Sequence, residues 1–204
     1  MRHVTALIAL LAKGGPVMIP LLVCSVLSLS VIIERSGFWW RRRDAARAER
    51  ALRLVAHAKF AEAAEVAGAS HAPEARVIAA GLGHRGAGAV QAMEVVAQEE
   101  LGLARRYLPV LDTVITLSPL LGLLGTVTGM IAAFGVLSTT GMNQPNAITG
   151  GVAEALIATA VGLGIAIATL VPYNYFSAKA ERAAEVMERC GSRVEQALSE
   201  HEIP

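Results

Sequence analysis

Glu154 is the residue whose type and position could do chemistry. It lies in a run from Ile148 to Val171 in which no other side chain is ionisable. A lone carboxyl group inside hydrocarbon costs about 3 kcal/mol or more, so it should face a cavity, a partner or a bundle interior. Three roles follow: a structural hydrogen-bonding residue near the interface, a site that handles protons or cations, or the catalytic acid of an intramembrane enzyme.

Thr126 and Thr159 are hydroxyl residues predicted to lie near mid-membrane. Each hydroxyl either bonds to a carbonyl of its own helix or supplies a polar group to a water-accessible lumen. In a ring of subunits, each threonine would become a ring of hydroxyls. Five residues separate Glu154 from Thr159, which is about 140° around a helix, so the two need not face the same surface.

Small residues recur at four-residue spacing around these polar positions. In lipid, such stripes let helix backbones approach closely, and here they predict a tight antiparallel hairpin. Two stripes on its first helix also suggest contact with more than one neighbour, which favours a homo-oligomer. Prolines at 119 and 172 predict kinks. The predicted packing residues are Gly122, Gly125, Gly129, Ala155, Ala158 and Gly162.

Composition identifies the setting of these residues. Hydrophobic residues make up 54% of the 204 and charged residues 17%, against about 25% charged in a soluble domain. A formal net charge of +1 lacks the basic excess of a nucleic-acid binder. Two cysteines cannot form a disulfide framework, and the histidines show no metal-ligand spacing. We therefore expect a membrane protein with no metal site.

Charge-poor runs divide the chain into spans that match a hydrocarbon core of about 30 Å. The apolar run 4–12 is either the core of a cleaved signal peptide or, as the poor cleavage site after it favours, an interfacial helix. The predicted segments are 1–13, a periplasmic interfacial segment; 14–33, the first span; 34–107, a cytoplasmic helical domain; 108–137, the second span with a cytoplasmic extension; 138–147, a short periplasmic turn; 148–176, the third span; and 177–204, a cytoplasmic C-terminal helix.

Basic residues predict the orientation. The segments 34–107 and 177–204 hold 16 of the 18 Lys and Arg, so they should be cytoplasmic and the N-terminus periplasmic. Trp39, Trp40 and the basic triplet 41–43 fit an anchor in the inner leaflet. A nucleic-acid contact is the weaker reading of that triplet, because charges of both signs follow it.

The polar segment 34–107 shows no strand-like alternation. Its composition predicts one helix over 45–67, a break from Gly68 to Pro73, a second helix from Glu74 to the glycines at 81 and 83, and a third over 90–107. We expect this all-helical domain to extend the membrane helices into the cytoplasm.

Two motifs carry a resemblance to a known family. The runs PLLGLLGTVTGMI at 119–131 and EALIATAVGL at 154–163 resemble the MotA/TolQ/ExbB proton channel family. The three predicted spans, with a periplasmic N-terminus and a large cytoplasmic loop after the first, are most similar to the ExbB/TolQ branch. MotA-type subunits have four spans and fit less well.

The resemblance implies an assembly and a mechanism. Family members form a pentamer around the transmembrane helices of two ExbD/TolR-like subunits, whose aspartate carries protons. The second and third spans line the channel, and its polar residues correspond to Glu154, Thr126 and Thr159. The assembly sits in the bacterial inner membrane and drives rotation with proton motive force, in some systems through a TonB/TolA-like protein. The family's proline near Ala168 is replaced here by Pro172, which moves the expected kink toward the cytoplasm.

Three functional hypotheses remain open. The chain is a motor subunit that channels H⁺ or Na⁺ without any cofactor, a structural scaffold in which Glu154 serves packing only, or an intramembrane enzyme. The enzyme ranks last because a nucleophile motif, a ligand His pair and a second membrane acid are all missing. The process energised, whether TonB-type import, envelope maintenance by a Tol-Pal system, motility or secretion, does not follow from the sequence.

Overall fold

The computed structural model of the chain describes residues 14–42, 44–84, 87–140 and 145–201. In this part every regular element is a helix, as the sequence predicts. The predicted segment 1–13 and the centre of the predicted turn, 141–144, lie outside the described residues. The helices are α1 (Met18–Arg41), α2 (Ala45–Ala56), α3 (Phe60–Gly68), α4 (Pro73–Leu82), α5 (Ala87–Arg105), α6 (Leu108–Thr140) and α7 (Pro145–His201).

Three helical stretches are long and apolar enough to cross a membrane, and each contains most of one charge-poor run. The chain is thus an all-α, multi-pass membrane protein. Where each span meets the bilayer surface, and which end faces the periplasm, stay predictions.

The chain divides into two compact units. The membrane unit consists of the described residues through Ile33 together with Tyr107–Asn174. The polar unit consists of Glu34–Arg106 together with the described residues from Tyr175 onward. Helices α1 and α7 each contribute residues to both units, whereas α6 belongs to the membrane unit and α2 to α5 belong to the polar unit.

The polar unit has its own hydrophobic core, built mainly from alanines and small aliphatic side chains. On α7, Met187, Cys190 and Val194 recur at helical spacing and are fully or almost fully buried. They pack in one cluster with buried residues of α2 to α5, among them Val55 and Ile78. Small side chains let these short helices lie close to α7.

The helix predicted over 45–67 is wrong in one respect, because it is two helices. α2 ends at Ala56 and α3 begins at Phe60. Between them Ala58 has φ 57°, in the left-handed region that non-glycine residues rarely adopt. Backbone bonds from Ala58 to Val55 and from Lys59 to Leu54 close the turn. Alanine's helix propensity predicted continuity, and tertiary packing overrode it.

Buried charges connect the helices of the polar unit. The Glu100 carboxylate on α5 is fully buried and accepts hydrogen bonds from Arg42 and Arg76. Arg35 is 1% exposed and donates to the Leu103 carbonyl at 2.7 Å in the last turn of α5. A cation at a helix C-terminus satisfies carbonyls that have no intrahelical partner.

Candidate functional site

The membrane unit is held together by a backbone-to-backbone seam between α6 and the first half of α7. A Cβ on Gly122 would lie 3.0 Å from the Thr159 Cα, and one on Gly129 would lie 3.0 Å from the Ala155 Cβ. A Cβ on Gly162 would press on the Ser118 carbonyl and lie 3.1 Å from the Gly122 Cα. These pairs run in opposite directions along the two helices, so α6 and α7 form an antiparallel hairpin.

Both small-residue stripes of α6 belong to this one seam. Gly125 meets Ala158, with a built Cβ at 2.5 Å from the alanine's Cβ, and Gly151 meets Ala133 in the same way at 2.9 Å. The six predicted packing residues therefore all lie in the contact between α6 and α7. The two stripes therefore do not by themselves indicate contact with a second helix, because both pack against α7 of the same chain.

The start of α1 packs against this hairpin. Val17, Met18 and Leu21 are buried and form a cluster with Leu121 of α6 and with Val161 and Ile165 of α7. Many other apolar side chains on the three helices are exposed, for example Ile19 at 69% and Val171 at 69%. That pattern suits a unit whose outer surface meets lipid or another subunit.

Glu154 lies where α7 meets the residues that lead into α1. Its side chain is half-buried and its carboxylate rests against Gly15, where a Cβ would fall 2.9 Å from the Glu154 Cδ. Gly15 has φ 71°, a left-handed conformation that suits glycine. The first turn of α1 follows at once, with Met18 N–H donating to the Gly15 carbonyl at 3.1 Å. The partial positive charge of a helix N-terminus favours a carboxylate at this place.

The two threonines have different partners. Thr159 Oγ1 donates across the seam to the Gly122 carbonyl at 2.9 Å, so its hydroxyl ties α7 to α6. Thr126 Oγ1 donates to the Leu123 carbonyl of its own helix at 2.7 Å, and Thr126 also lines a shallow apolar groove with Met130 and Phe134. The structure does not bring the two threonines and Glu154 to one point.

The antiparallel register sets the depths of these polar groups. Gly122 lies opposite Thr159 and Gly129 opposite Ala155 and Gly151, which puts Glu154 level with Thr128 and Thr126 about 3 Å deeper. Thr159 lies five residues further along α7, about 7.5 Å deeper than Glu154. The hairpin therefore offers a carboxylate at the outer level, the Thr126 hydroxyl slightly below it and the Thr159 hydroxyl deeper still.

Two buried hydroxyl residues were not predicted as site residues. Ser118 is fully buried at the seam, and its Oγ finds no hydrogen-bond partner in the described part of the chain. Thr169 is 1% exposed and bonds to the Ile165 carbonyl at 2.8 Å. A polar residue on the small-residue stripe, as Ser118 is, was the available signal. Pro119 and Pro172 both lie inside continuous helices, α6 and α7.

Comparison with known families places this hairpin in context. Residues 69–189 match the model of the MotA/TolQ/ExbB proton channel family, which is more than half of the chain. The chain belongs to this family. The match includes all of α6 and most of α7, and thus Thr126, Glu154 and Thr159.

Relatives narrow the family to one branch. The biopolymer transport protein named ExbB-like 3, from Synechocystis sp., is 38% identical over 176 residues, which cover 80% of this chain and 81% of that protein. ExbB-like 1 from the same organism is 36% identical over 90% of this chain and 75% of its own length. The Tol-Pal system protein TolQ of Pseudomonas aeruginosa is 43% identical over 46% of this chain and 41% of its own length. The chain therefore falls in the ExbB/TolQ branch.

Proposed function

We propose that this chain is the ring-forming ion-channel subunit of a rotary motor in the bacterial inner membrane. It would work without enzymatic chemistry or a cofactor and convert proton motive force into mechanical work for transport or envelope processes. Membership in a proton channel family supports this reading, as does the similarity of most of the chain to ExbB-like proteins. The observation that carries it is Glu154, the single acid of the third predicted span, on the seamed hairpin of the membrane unit.

The proposed assembly is a pentamer around two single-span, ExbD/TolR-like subunits. In it, α6 and α7 line the central channel and a partner's membrane aspartate carries the ion. The N-terminus lies in the periplasm and the polar unit in the cytoplasm, which the distribution of Lys and Arg supports. A TonB/TolA-like protein would receive the work in some systems.

The geometry suggests a role for each polar group. Glu154 lies toward the predicted periplasmic end of α7, so it would exchange an ion between the outer face and the partner's carboxylate. Thr159, held by the Gly122 carbonyl, would keep the hairpin closed at the deeper level while its hydroxyl oxygen still offers lone pairs. Thr126, about 3 Å deeper than Glu154, would add a second oxygen near the outer level. The coupling ion is H⁺ or Na⁺, since carboxylate and hydroxyl oxygens can serve both.

A scaffold function is the second candidate, and one contact favours it. The Glu154 carboxylate rests against Gly15 within its own chain, as a packing residue would. In that case Glu154 would remain in place and exchange no ion.

Labelling with dicyclohexylcarbodiimide separates these functions. The reagent modifies carboxyl groups in apolar surroundings, so the channel function predicts modification of Glu154, detected by mass spectrometry of the purified chain. Asp112, the exposed acid near the start of α6, serves as the control and should stay unmodified. Protection of Glu154 by NaCl but not by KCl would identify Na⁺ as the ion. Absence of labelling would favour the scaffold.

A further inference from the structure

The polar unit contains a cavity that the proposed ion pathway does not use. Its volume is about 400 Å³, and it lies among the end of α1, the start of α4 and the part of α7 that follows the third predicted span. Its polar and aromatic lining residues are Trp39, Arg42, Glu74, Tyr175, Lys179 and Arg182.

Trp39 lines this cavity and carries a buried hydrogen-bond donor that lacks an acceptor. The residue is 7% exposed, and its Nε1 is buried without a hydrogen-bond partner among the residues that the structure describes. The indole N–H can only donate, and a buried donor without a hydrogen bond is unfavourable. Lys179 Nζ lies 4.8 Å from the centre of the Trp39 ring, so the ring is already engaged through its face while the N–H is not.

Three charged side chains around the cavity lack ion-pair partners in the described part of the chain. Lys179 and Arg182 form no ion pair with any acid of the described ranges, and Glu74 forms none with any base there. Burial raises the pKa of Glu74, and the nearby Asp44 adds to this effect. Arg42 differs, because it is bound to the buried Glu100. The cavity thus offers two cations for an anion and a carboxylate for a cation, and the unpaired N–H of Trp39 belongs to one of its lining residues.

We propose that this cavity binds the phosphoethanolamine headgroup of a membrane phospholipid. Lys179 and Arg182 hold the phosphate oxygens, and the ammonium group meets the Glu74 carboxylate. The Trp39 ring turns so that its Nε1–H, which is buried in this structure, reaches the phosphate. Such charge-assisted hydrogen bonds are roughly twice as strong as neutral ones. A headgroup with both charges satisfies Glu74, whereas a purely anionic one would bring a second negative charge beside it.

The position of the lining residues along the chain favours a lipid over a soluble phosphate. Trp39 follows the predicted end of the first span by six residues, which is about 9 Å of helix. Tyr175 lies at the end of the third predicted span and Lys179 one turn later. Headgroup regions extend about 5–8 Å outside the hydrocarbon on each side, so Tyr175 lies within this layer and Trp39 at its outer edge. Trp and Tyr concentrate in such interfaces.

Native mass spectrometry of the full chain tests this proposal. The chain is reconstituted into nanodiscs that contain phosphatidylethanolamine and phosphatidylglycerol in equal amounts, released, and its retained lipids are counted. Wild type should retain mainly phosphatidylethanolamine. Trp39→Phe should lower retention about tenfold, the effect of one hydrogen bond to a charged group. Glu74→Gln should shift the preference toward phosphatidylglycerol.

Matched variants make the outcome decisive. Trp40→Phe removes an exposed indole next in the chain, and Arg193→Gln removes an exposed charge further along α7. Both should retain lipid as wild type does. Lys179→Gln with Arg182→Gln alters only partly or fully exposed side chains, so it should fold even if Trp39→Phe does not, and it should also lose the lipid. Equal retention by these variants and their controls would overturn the site.

A second measurement separates the lipid from soluble sources. In a Trp40→Phe background Trp39 is the sole tryptophan, so its fluorescence reports on the cavity. Glycerophosphoethanolamine and inorganic phosphate in solution should change it only at far higher concentrations than phosphatidylethanolamine vesicles. Equal response to the soluble compounds would contradict a membrane ligand. Neither experiment depends on Glu154, so failure here leaves the proposed ion channel untouched.

Discussion

At the scale of single residues, the contact between Glu154 and Gly15 carries the most information. A carboxylate in a membrane unit is costly, and here it lies at the start of α1, where a helix N-terminus stabilises negative charge. Only glycine fits at position 15, for two reasons. Its φ of 71° is left-handed, and a Cβ would collide with the Glu154 carboxylate.

Gly15→Ala should therefore destabilise the chain by about 1–3 kcal/mol, from backbone strain and overpacking. Thermal unfolding of the detergent-solubilised protein measures this effect. Gly150→Ala is the control, because nothing lies within 4 Å of a Cβ there. In a Glu154→Ala background the cost of Gly15→Ala should shrink, since the steric part is relieved. An equal cost in both backgrounds would contradict the contact.

Cys190 shows how burial controls reactivity outside the membrane. Burial, with Glu74 adding to it, raises the pKa of this thiol from 9.0 to about 11. Only the thiolate is nucleophilic, so at pH 8 its reactive fraction should be about a hundredfold below that of an unshifted thiol. In a Cys24→Ser background, maleimide should label Cys190 slowly in the folded protein and faster once the protein is unfolded. The exposed Ser192→Cys, placed in a chain without either native cysteine, should react fast. Comparable rates would show that Cys190 is accessible.

At the scale of elements, the seam between α6 and α7 organises the membrane unit. Glycines and alanines bring the two backbones together, and the Thr159 hydroxyl bridges them. In lipid no hydrophobic effect drives helices together, so close packing and interhelical hydrogen bonds must do so.

Gly162→Ala should separate the helices, because its Cβ would press on the Ser118 carbonyl and on the backbone of Gly122. We expect a loss of about 1–3 kcal/mol in resistance to unfolding, measured by thermal or denaturant titration in detergent. Gly164→Ala, two residues on along the same helix, has nothing within 4 Å of its Cβ and should leave stability unchanged or slightly raised. If both variants behave alike, the close seam is not present in solution.

Sequence reasoning reached this hairpin but not its details. Small residues at four-residue spacing predicted the packing faces, because helix geometry alone determines which residues share a face. That geometry does not say which partner a face meets, so two stripes suggested two neighbours where one helix meets both. Likewise, Thr159 could not be assigned to the Gly122 carbonyl, since that bond depends on the register between helices.

At the scale of the whole molecule, the two units differ in their content of charged residues. The uncharged runs predicted the spans because hydrocarbon excludes charge. The interior of the polar unit was harder to predict: a left-handed Ala58 splits one expected helix, Glu100 and Arg35 are buried, and Arg42 is half-buried beside Glu100. Charged residues in polar segments usually face solvent, so composition offered no signal for these three.

The buried Glu100 should be the main electrostatic determinant of the polar unit's stability. Glu100→Gln leaves Arg42 and Arg76 without their shared carboxylate, and we expect a loss of about 3 kcal/mol, the lower end for breaking a buried pair, because both arginines are partly exposed. Hydrogen exchange of α4 and α5 in the full chain would detect the change. Glu99→Gln, the exposed neighbour, is the control. Equal exchange in both variants would contradict this role.

The central claim is that Glu154 handles the coupling ion, and Glu154→Gln tests it most directly. The variant keeps the side chain's size and removes its ionisable group. The chain is reconstituted in liposomes with the single-span, ExbD/TolR-like subunit of its own organism, and ion uptake is followed under an imposed membrane potential. The account predicts that Glu154→Gln assembles as wild type does by native mass spectrometry, while uptake falls to the level of empty liposomes. Glu181→Gln, an exposed position on the same helix, should conduct normally. Undiminished uptake by an intact Glu154→Gln assembly would contradict the account.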